Sequence, residues 1–218
     1  MSMAYVICVN LTKGGVGKTT TAVALAEAAM LGGGPVTLLD ADRMGGALRW
    51  SQLAAASGRE MRAKVIGMPV EDIPRRIHPV ARESNLIVID SPPPGSEKIT
   101  EAAFEVSDLI VMPVPPRLAE VDRVLATLEI AQRHGKPARA VLIDVSTRAG
   151  LADQRDKTLE ALSAWGVTVY KTEFPSSVAV ERAYGTYLRP SSPMLRFGME
   201  LVTEILTSEI QGKGRNDG

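Results

Sequence analysis

A short glycine-rich segment carries the residue types best suited to chemistry. From Lys13 to Thr20 the chain reads KGGVGKTT, and its glycines leave room for backbone N–H groups to close around phosphate oxygens where a Cβ would obstruct them. Lys18 can reach the terminal phosphates of a nucleotide, and the hydroxyl of Thr19 can bind Mg²⁺. The sequence therefore predicts a phosphate-binding loop made of Lys13, Gly14, Gly15, Val16, Gly17, Lys18, Thr19 and Thr20.

The segments on either side of this loop have the pattern that such a loop requires. Tyr5–Val9 is a short apolar run typical of a buried strand, and the residues after Thr20 form an Ala-rich, periodic stretch typical of a helix. Free N–H groups and the positive dipole at the start of that helix favour an anion. The general pattern has Gly where this chain has Thr12, and Lys13 is an additional lysine. The loop is therefore a deviant form of the motif.

Three aspartates follow predicted strands further along the chain. Asp90 comes directly after the apolar run Leu86–Ile89, which is the arrangement of a Walker B carboxylate that holds Mg²⁺; a loop-capping role is the alternative. Asp40 and Asp42 lie at the end of the second strand, and we expect one of them to point toward the site and the other to the far side or the helix. We assign Asp42 to orienting the attacking water and supporting Mg²⁺, and Asp40 to a structural role, although the two assignments can be exchanged.

Lys13 has no role in a simple phosphate-binding loop, and we expect it to point away from the helix that follows. Catalysis of phosphoryl transfer depends mainly on positioning and on neutralising charge at the γ-phosphate, part of which Lys18 and Mg²⁺ supply. A cation at Lys13 can reach phosphates bound to a second subunit, as an arginine finger does. Its presence therefore predicts that the active form is a dimer.

Strand-like and helix-like segments alternate along the chain, which predicts an α/β fold with a mainly parallel sheet and helices on both faces. We expect one domain over residues 1–218, with a frayed tail at 211–218. In such sheets ligands lie beyond the carboxyl ends of the strands, where the glycine-rich loop and the aspartates fall. The predicted elements of the second half are strand 109–112 ended by Pro113, helix 119–134, strand 140–143, helix 151–165, strand 167–170, and helices 178–185 and 194–210.

The composition limits the classes of function. The 218 residues include 25 basic and 25 acidic side chains, so the formal net charge is zero and any binding to nucleic acid must come from a local patch. Cys8 is the single cysteine and falls inside an apolar strand, which excludes a disulfide framework and favours a buried thiol. The first residues resemble no signal peptide, and no apolar run approaches the roughly 20 residues of a membrane span. We therefore expect a cytoplasmic protein.

Four motifs together resemble the ParA/MinD family of deviant Walker-type ATPases, a group with P-loop NTPase architecture. They are the loop KGGVGKTT, the segment from Asp40 to Trp50, the sequence VIDSPPPG around Asp90, and Asp108–Pro113. The resemblance extends from Tyr5 to about Ile210. It is closest to the small plasmid-partition members, because the first strand begins at residue 5 and leaves no room for an N-terminal helix-turn-helix domain.

This resemblance implies a function. The cofactors are ATP and Mg²⁺, and the active form is a homodimer with ATP sandwiched at the interface and Lys13 acting across it. The ATP-bound dimer binds DNA without sequence preference, which places it on the nucleoid, and a centromere-binding, ParB-like partner stimulates hydrolysis. The candidates for DNA contact are basic residues of the C-terminal third, namely Lys171, Arg182, Arg189 and Arg196. A solvated basic face without function is the alternative for these residues.

The chain departs from the family pattern at three places. Arg43-Met44 replaces the usual Pro-Gln, Pro115 replaces Gln or Asn, and Asp144 replaces an Asn at the end of a strand. Family members contact adenine near the last of these positions, so Asp144 is one candidate for the adenine contact. Pro175, in the loop 174–176, is the second.

Three other functions fit parts of the sequence. A MinD-like membrane-cycling ATPase needs a basic amphipathic C-terminal helix, whereas the last amphipathic segment carries Glu200, Glu204 and Glu209, so we expect no membrane partner. A P-loop kinase or amidoligase acting on a small acid shares the architecture, but no substrate pocket is evident in the sequence. A nucleotide-locked interaction protein without turnover fits if Arg43-Met44 disables the switch. The leading prediction is a partition or positioning ATPase.

Overall fold

A seven-stranded parallel sheet lies at the centre of the computed structural model, which describes residues 4–146, 152–176 and 182–213. Its strand order is β3-β2-β4-β1-β5-β6-β7, and every neighbouring pair is parallel. The strands are β1 (Tyr5–Val9), β2 (Val36–Asp40), β3 (Lys64–Gly67), β4 (Leu86–Asp90), β5 (Leu109–Val114), β6 (Ala138–Val145) and β7 (Val169–Pro175). The central strands are almost entirely buried and mostly apolar, as expected for a sheet covered on both sides.

Helices cover both faces of this sheet, which confirms the predicted fold class. They are α1 (Lys18–Leu31), α2 (Gly46–Ala56), α3 (Ile73–Glu83), α4 (Glu97–Val106), α5 (Val121–Arg133), α6 (Ala152–Ala164) and α7 (Pro193–Lys213), with a 3₁₀ turn at Leu118–Glu120 before α5. One apolar core joins the sheet to α3, α4, α5 and α6. The second joins the opposite face to α1, α2 and α7, and includes the buried Trp50.

The order of the strands places the predicted site at a switch point. From β1 the chain continues to β2 on one side, while β5 lies on the other side of β1. Crevices at such points, outside the carboxyl ends of the strands, are where ligands bind in open α/β sheets. Asp90 is in register with both Val9 and Asp40, so the ends of β1, β2 and β4 meet at one edge. The fold therefore brings the glycine-rich loop and the aspartates together.

Strand β5 corrects one prediction, because Pro113 does not end it. The backbone N–H of Asn10 donates to the carbonyl of Val111 at 3.0 Å, and β1 pairs with β5 no further than Val111. In a parallel strand Pro113 faces the same side as Val111. Pro113 therefore lies beyond the end of β1, so its missing N–H costs no hydrogen bond between the two strands. Strand β5 continues to pair with β6 through Pro113 and Val114.

Two other predicted elements differ from the structure. Residues 182–186 form turns rather than the end of a helix, and residues 177–181 of the predicted helix 178–185 lie outside the described residues. Strand β7 runs to Pro175 rather than ending at residue 170. Residue 151, at the start of the predicted helix 151–165, and residues 214–218 of the tail also lie outside the described residues. Within the described part of the chain, we find no helix with the length and apolar character needed to span a membrane.

Candidate nucleotide-binding site

The glycine-rich loop connects the end of β1 to the start of α1, as the sequence predicts. Gly15 and Gly17 have φ angles of +71° and +74°, a left-handed conformation that a side chain disfavours. A Cβ on Gly17 would also lie 2.7 Å from Cδ1 of Ile143 on β6. Gly17 is therefore required by its backbone conformation, whereas the end of the Ile143 side chain could move to admit a Cβ.

Lys18 lies inside this loop rather than in solvent. Its side chain is buried, and Nζ donates a hydrogen bond of 2.7 Å to the carbonyl oxygen of Lys13. Burial lowers the pKa of Lys18, while the carboxylates of Asp90 and Asp42 act in the opposite direction. The ammonium thus lies between the loop backbone and two acidic side chains, where an anionic phosphate would complement it.

Asp90 is the buried carboxylate of the site. It ends β4, is 1% exposed, and neither of its oxygens has a hydrogen-bond partner among the described residues. Burial raises the pKa of Asp90 to about 7, and Asp40 and Asp42 add to this, whereas the nearby Thr19 hydroxyl and Lys18 lower it. Carboxylate and hydroxyl oxygens are ligands that Mg²⁺ prefers. The unpartnered oxygens of Asp90 beside Thr19 therefore fit a hard divalent cation.

Asp40 and Asp42 differ in what holds them. The carboxylate of Asp40 is buried and accepts the N–H groups of Leu48, at 2.8 Å, and of Asp42, at 3.1 Å. Burial raises the pKa of Asp40, and these two N–H groups oppose the rise. Asp42 is only partly buried and accepts the N–H of Met44 at 3.0 Å. This geometry favours the predicted assignment, with Asp40 fixing the start of α2 and Asp42 closer to solvent.

The structure describes no group of three or more His, Cys, Asp or Glu side chains that could hold a metal ion. A metal held by Thr19, Asp42 and Asp90 therefore remains a prediction. In such a site Thr19 would contribute a hydroxyl, and bound phosphate and water would complete the oxygen ligands.

A pocket of about 250 Å³ adjoins the glycine-rich loop. Both predicted adenine contacts line it: Asp144 at the end of β6 and Pro175 at the end of β7. Asp144 has a φ of +56°, and its carboxylate lies 3.5 Å from the Arg117 guanidinium. The residues that line this pocket are Gly15, Val16, Gly17, Thr20, Pro115, Arg117, Ile143, Asp144, Phe174, Pro175 and Ser176. We call it the nucleoside pocket, after the two predicted adenine contacts that line it.

Comparison with known proteins agrees with this geometry. Residues 7–190 match the family model described as the CobQ/CobB/MinD/ParA nucleotide binding domain. The chain belongs to this family. It is 31% identical, over 186 residues that cover 84% of this chain and 82% of the relative, to the maintenance of carboxysome distribution protein A of Gloeobacter kilaueensis. The family predicted from the sequence is therefore confirmed.

Two solved structures share the fold of this ParA/MinD-type chain. A McdA variant from Cyanothece in complex with ATP has a TM-score of 0.74 and 17% identity, covering 95% of this chain and 98% of its own. The MinD protein of Pyrococcus horikoshii with Mg-ADP has a TM-score of 0.76 and 16% identity, covering 93% of this chain and 96% of its own. Relatives of this fold thus hold ATP or ADP and magnesium, in agreement with the predicted cofactors.

The residues proposed for DNA contact do not lie in one place. Arg182 and Arg189 line a pocket of about 490 Å³, and Arg59, which the sequence did not single out, lines it with them. Arg196 lies in a different pocket with Glu173 and Glu200. The exposed Lys171 is on β7, where its backbone N–H donates to Glu204. The structure therefore brings two of the four candidates together.

Contacts between distant segments hold the loop in place, and one of the partners, Glu120, carried no sequence signal. Asn10 donates to the Ser91 hydroxyl at 2.6 Å, and that hydroxyl donates to the Val9 carbonyl at 2.8 Å. The Lys13 ammonium forms an ion pair with Glu120, at the end of the 3₁₀ turn before α5. Glu120 is 107 positions from Lys13, and no local pattern marks such a distant partner.

Proposed function

We propose that this ParA/MinD family member is an ATP-hydrolysing positioning ATPase that dimerises on ATP, with the nucleotide and Mg²⁺ sandwiched at the interface. The dimer binds non-specific DNA and thereby moves DNA or another cargo along the nucleoid in the cytoplasm. A centromere-binding, ParB-like partner, or its counterpart for another cargo, stimulates hydrolysis. The similarity to a carboxysome-distribution protein supports a positioning role and extends the range of cargo beyond DNA.

The position of Lys13 carries this proposal. Lys18 is bound to the Lys13 carbonyl inside the loop, whereas the Lys13 side chain is 43% exposed and its ammonium pairs with the buried Glu120. A second lysine whose ammonium pairs with another segment of the chain has no evident use for the chain's own nucleotide. It is available to neutralise the phosphates of a second subunit, as an arginine finger does.

Within one subunit, the other residues have separable roles. Lys18 and the loop N–H groups bind and neutralise the phosphates, and Thr19 and Asp90 hold the Mg²⁺ that supplies the remaining charge. Asp42 orients the attacking water, and Asp40 fixes the start of α2. The nucleoside pocket, with Asp144 and Pro175 at its edge, accommodates the adenosine.

The arginine-lined pocket supports a DNA-binding surface. Arg59, Arg182 and Arg189 line it, and its lining includes no acidic side chain among the described residues. Below them, the Arg62 guanidinium lies 4.3 Å from the centre of the Tyr187 ring and pairs with the buried Glu27 at 2.9 Å. This inner arginine fixes the segment that carries the outer ones. Arginines held in this way suit phosphate contact without base readout.

Replacing Lys13 with glutamine is expected to abolish ATP-dependent dimerisation and, with it, tight binding to DNA. The variant retains Lys18, so it should still bind ATP. The measurement is the affinity for non-specific duplex DNA with ATP, ADP or no nucleotide at low and moderate salt, alongside mass determination by light scattering. Wild-type DNA binding should require ATP and should weaken steeply with salt.

The matched control is Lys98→Gln, which removes one exposed lysine on α4. It should dimerise and bind DNA as the wild type does. If the wild type binds no DNA with any nucleotide, the DNA-tracking function is wrong. Binding of ATP-loaded protein to anionic vesicles would then support the MinD-like alternative, and turnover with small acids would support the kinase or amidoligase alternative.

Replacing Arg182 and Arg189 together with alanine is expected to weaken DNA binding by about tenfold or more at moderate salt, because two phosphate contacts are lost. The slope of log affinity against log salt should decrease by about 2. ATP-dependent dimerisation should be unchanged. A filter-binding or anisotropy titration at several salt concentrations measures both effects.

The double variant Arg82→Ala, Arg133→Ala is the control for total charge. Both side chains are exposed on helices that pack on the opposite face of the sheet. Loss of affinity in the control equal to that in the Arg182, Arg189 variant would show that net charge, and not this pocket, governs DNA binding.

A further inference from the structure

Glu120 is a buried acid whose environment the proposed chemistry does not explain. Its side chain is 2% exposed, one carboxylate oxygen pairs with the Lys13 ammonium, and the other has no hydrogen-bond partner among the described residues. Buried carboxylates are stable only when paired, and separating such a pair is costly. Lys13 is therefore the main compensation for the Glu120 charge.

The surrounding contacts keep Lys13 beside Glu120. Thr12 donates its backbone N–H to the Thr127 hydroxyl at 3.1 Å and its own hydroxyl to the Arg123 carbonyl at 3.0 Å. These bonds attach the start of the glycine-rich loop to α5, and Glu120 stands directly before that helix. Two hydrogen bonds from Thr12 thus hold the segments that carry Lys13 and Glu120 next to each other.

We propose that Glu120 is a positioning residue that competes with the phosphates of the partner subunit's nucleotide for Lys13. This inference rests on the proposed function, because it needs Lys13 to act across the dimer interface. In the monomer Glu120 holds the lysine at its own subunit. On dimerisation the Lys13 ammonium leaves Glu120. The phosphates of the partner subunit's nucleotide must therefore attract the ammonium more strongly than the Glu120 carboxylate does.

The competition explains how the dimer can depend on the γ-phosphate. ATP carries more negative charge than ADP, and a terminal phosphate offers more oxygens to a lysine than one buried carboxylate does. Two such pairs must break in each symmetric dimer, one in each subunit. Breaking both pairs adds a free-energy cost to dimerisation. The attraction between Lys13 and the phosphates of ATP exceeds this cost, whereas the weaker attraction to ADP does not.

The test compares dimerisation of the wild type, Glu120→Gln, Lys13→Gln and the double variant by analytical ultracentrifugation with ATP or ADP. The glutamine has nearly the same shape and removes the competing charge. The dimer dissociation constant of Glu120→Gln should fall about tenfold or more with either nucleotide, because two charge-assisted bonds no longer need to break. Measurable dimer should therefore form with ADP. In the double variant this gain should vanish, because it acts through Lys13.

The control for charge is Asp122→Asn, an exposed acid two positions further along, which should dimerise as the wild type does. Thermal melting without nucleotide verifies that each variant is folded. Glu120→Asp retains the negative charge, so it should preserve the requirement for ATP even if Glu120→Gln is poorly folded. Unchanged or weaker dimerisation of Glu120→Gln, or a gain that persists without Lys13, would overturn this inference alone. Failure of both the wild type and Glu120→Gln to dimerise with ATP would overturn the proposed function together with it.

Discussion

Replacing Asp90 with asparagine is expected to abolish ATP hydrolysis while stabilising the nucleotide-free protein at about pH 8. The amide cannot supply the negative charge that holds Mg²⁺, so turnover should fall by about a hundredfold or more. The same change removes a buried carboxylate with no hydrogen-bond partner among the described residues. A phosphate-release assay and thermal melting at several pH values measure the two effects.

The pH dependence of this stabilisation has a definite sign. Burial raises the pKa of Asp90 to about 7 in the folded protein, whereas an unfolded Asp has a pKa of about 4. Between these values the folded state binds a proton that the unfolded state has lost, so the contribution of Asp90 to stability falls as the pH rises. The advantage of the asparagine variant should therefore be small at about pH 4, grow up to about pH 7, and then stay constant. Its full size is on the order of 1–4 kcal/mol.

Asp122→Asn is the control, because this acid is exposed on α5. Its melting temperature should differ little from that of the wild type at every pH. Adding Mg²⁺ with ADP should stabilise the wild type more than the Asp90 variant, since ligands that bind the folded state stabilise it by mass action. A variant that is less stable than the wild type at high pH, or whose advantage is the same at every pH, would contradict the burial argument.

The sequence predicted those parts of the site that lie within one strand, turn and helix. The loop from Lys13 to Thr20 is a continuous pattern, and Asp90 follows an apolar run directly, so both could be placed without any knowledge of distant contacts. The parallel sheet followed from the alternation of strands and helices. Glu120 and Arg59 escaped prediction because their roles depend on chain segments far away in sequence.

Tertiary contacts also explain why residues 182–185, which the sequence predicted to be helical, form turns instead. The indole N–H of Trp50 donates to the Thr186 carbonyl at 2.9 Å, and Arg62 donates to the Leu188 carbonyl at 3.0 Å. A Cβ on Gly185 would lie 2.8 Å from Cβ of Leu53. These contacts, from α2 and the loop after it, hold the backbone in turns. Local helix propensity is weak beside such interactions.

Replacing Gly198 with alanine is expected to destabilise the fold by about 2–4 kcal/mol. Helix α7 approaches α1 so closely that a Cβ here would overlap the carbonyl oxygen of Ala24 and lie 2.9 Å from Cβ of Ala28. In an open helix the same change would stabilise by about 1 kcal/mol, so the expected sign reverses only because of this contact. Urea unfolding gives the free energy directly, and the melting temperature should fall by several degrees.

Thr203→Ala is the control on the exposed face of the same helix. It should change the stability by less than about 0.5 kcal/mol. Since α1 begins at Lys18, the helix against which Gly198 packs is the one that carries the phosphate-binding end of the site. ATP binding by Gly198→Ala should still be detectable at temperatures where the variant is folded, because the clash lies at Ala24 and Ala28, one to three turns away from Lys18. If the unfolding free energy of Gly198→Ala is equal to or above that of the wild type, α7 can move away from α1 at no cost. In that case this close packing does not stabilise the face of the sheet on which the site is built.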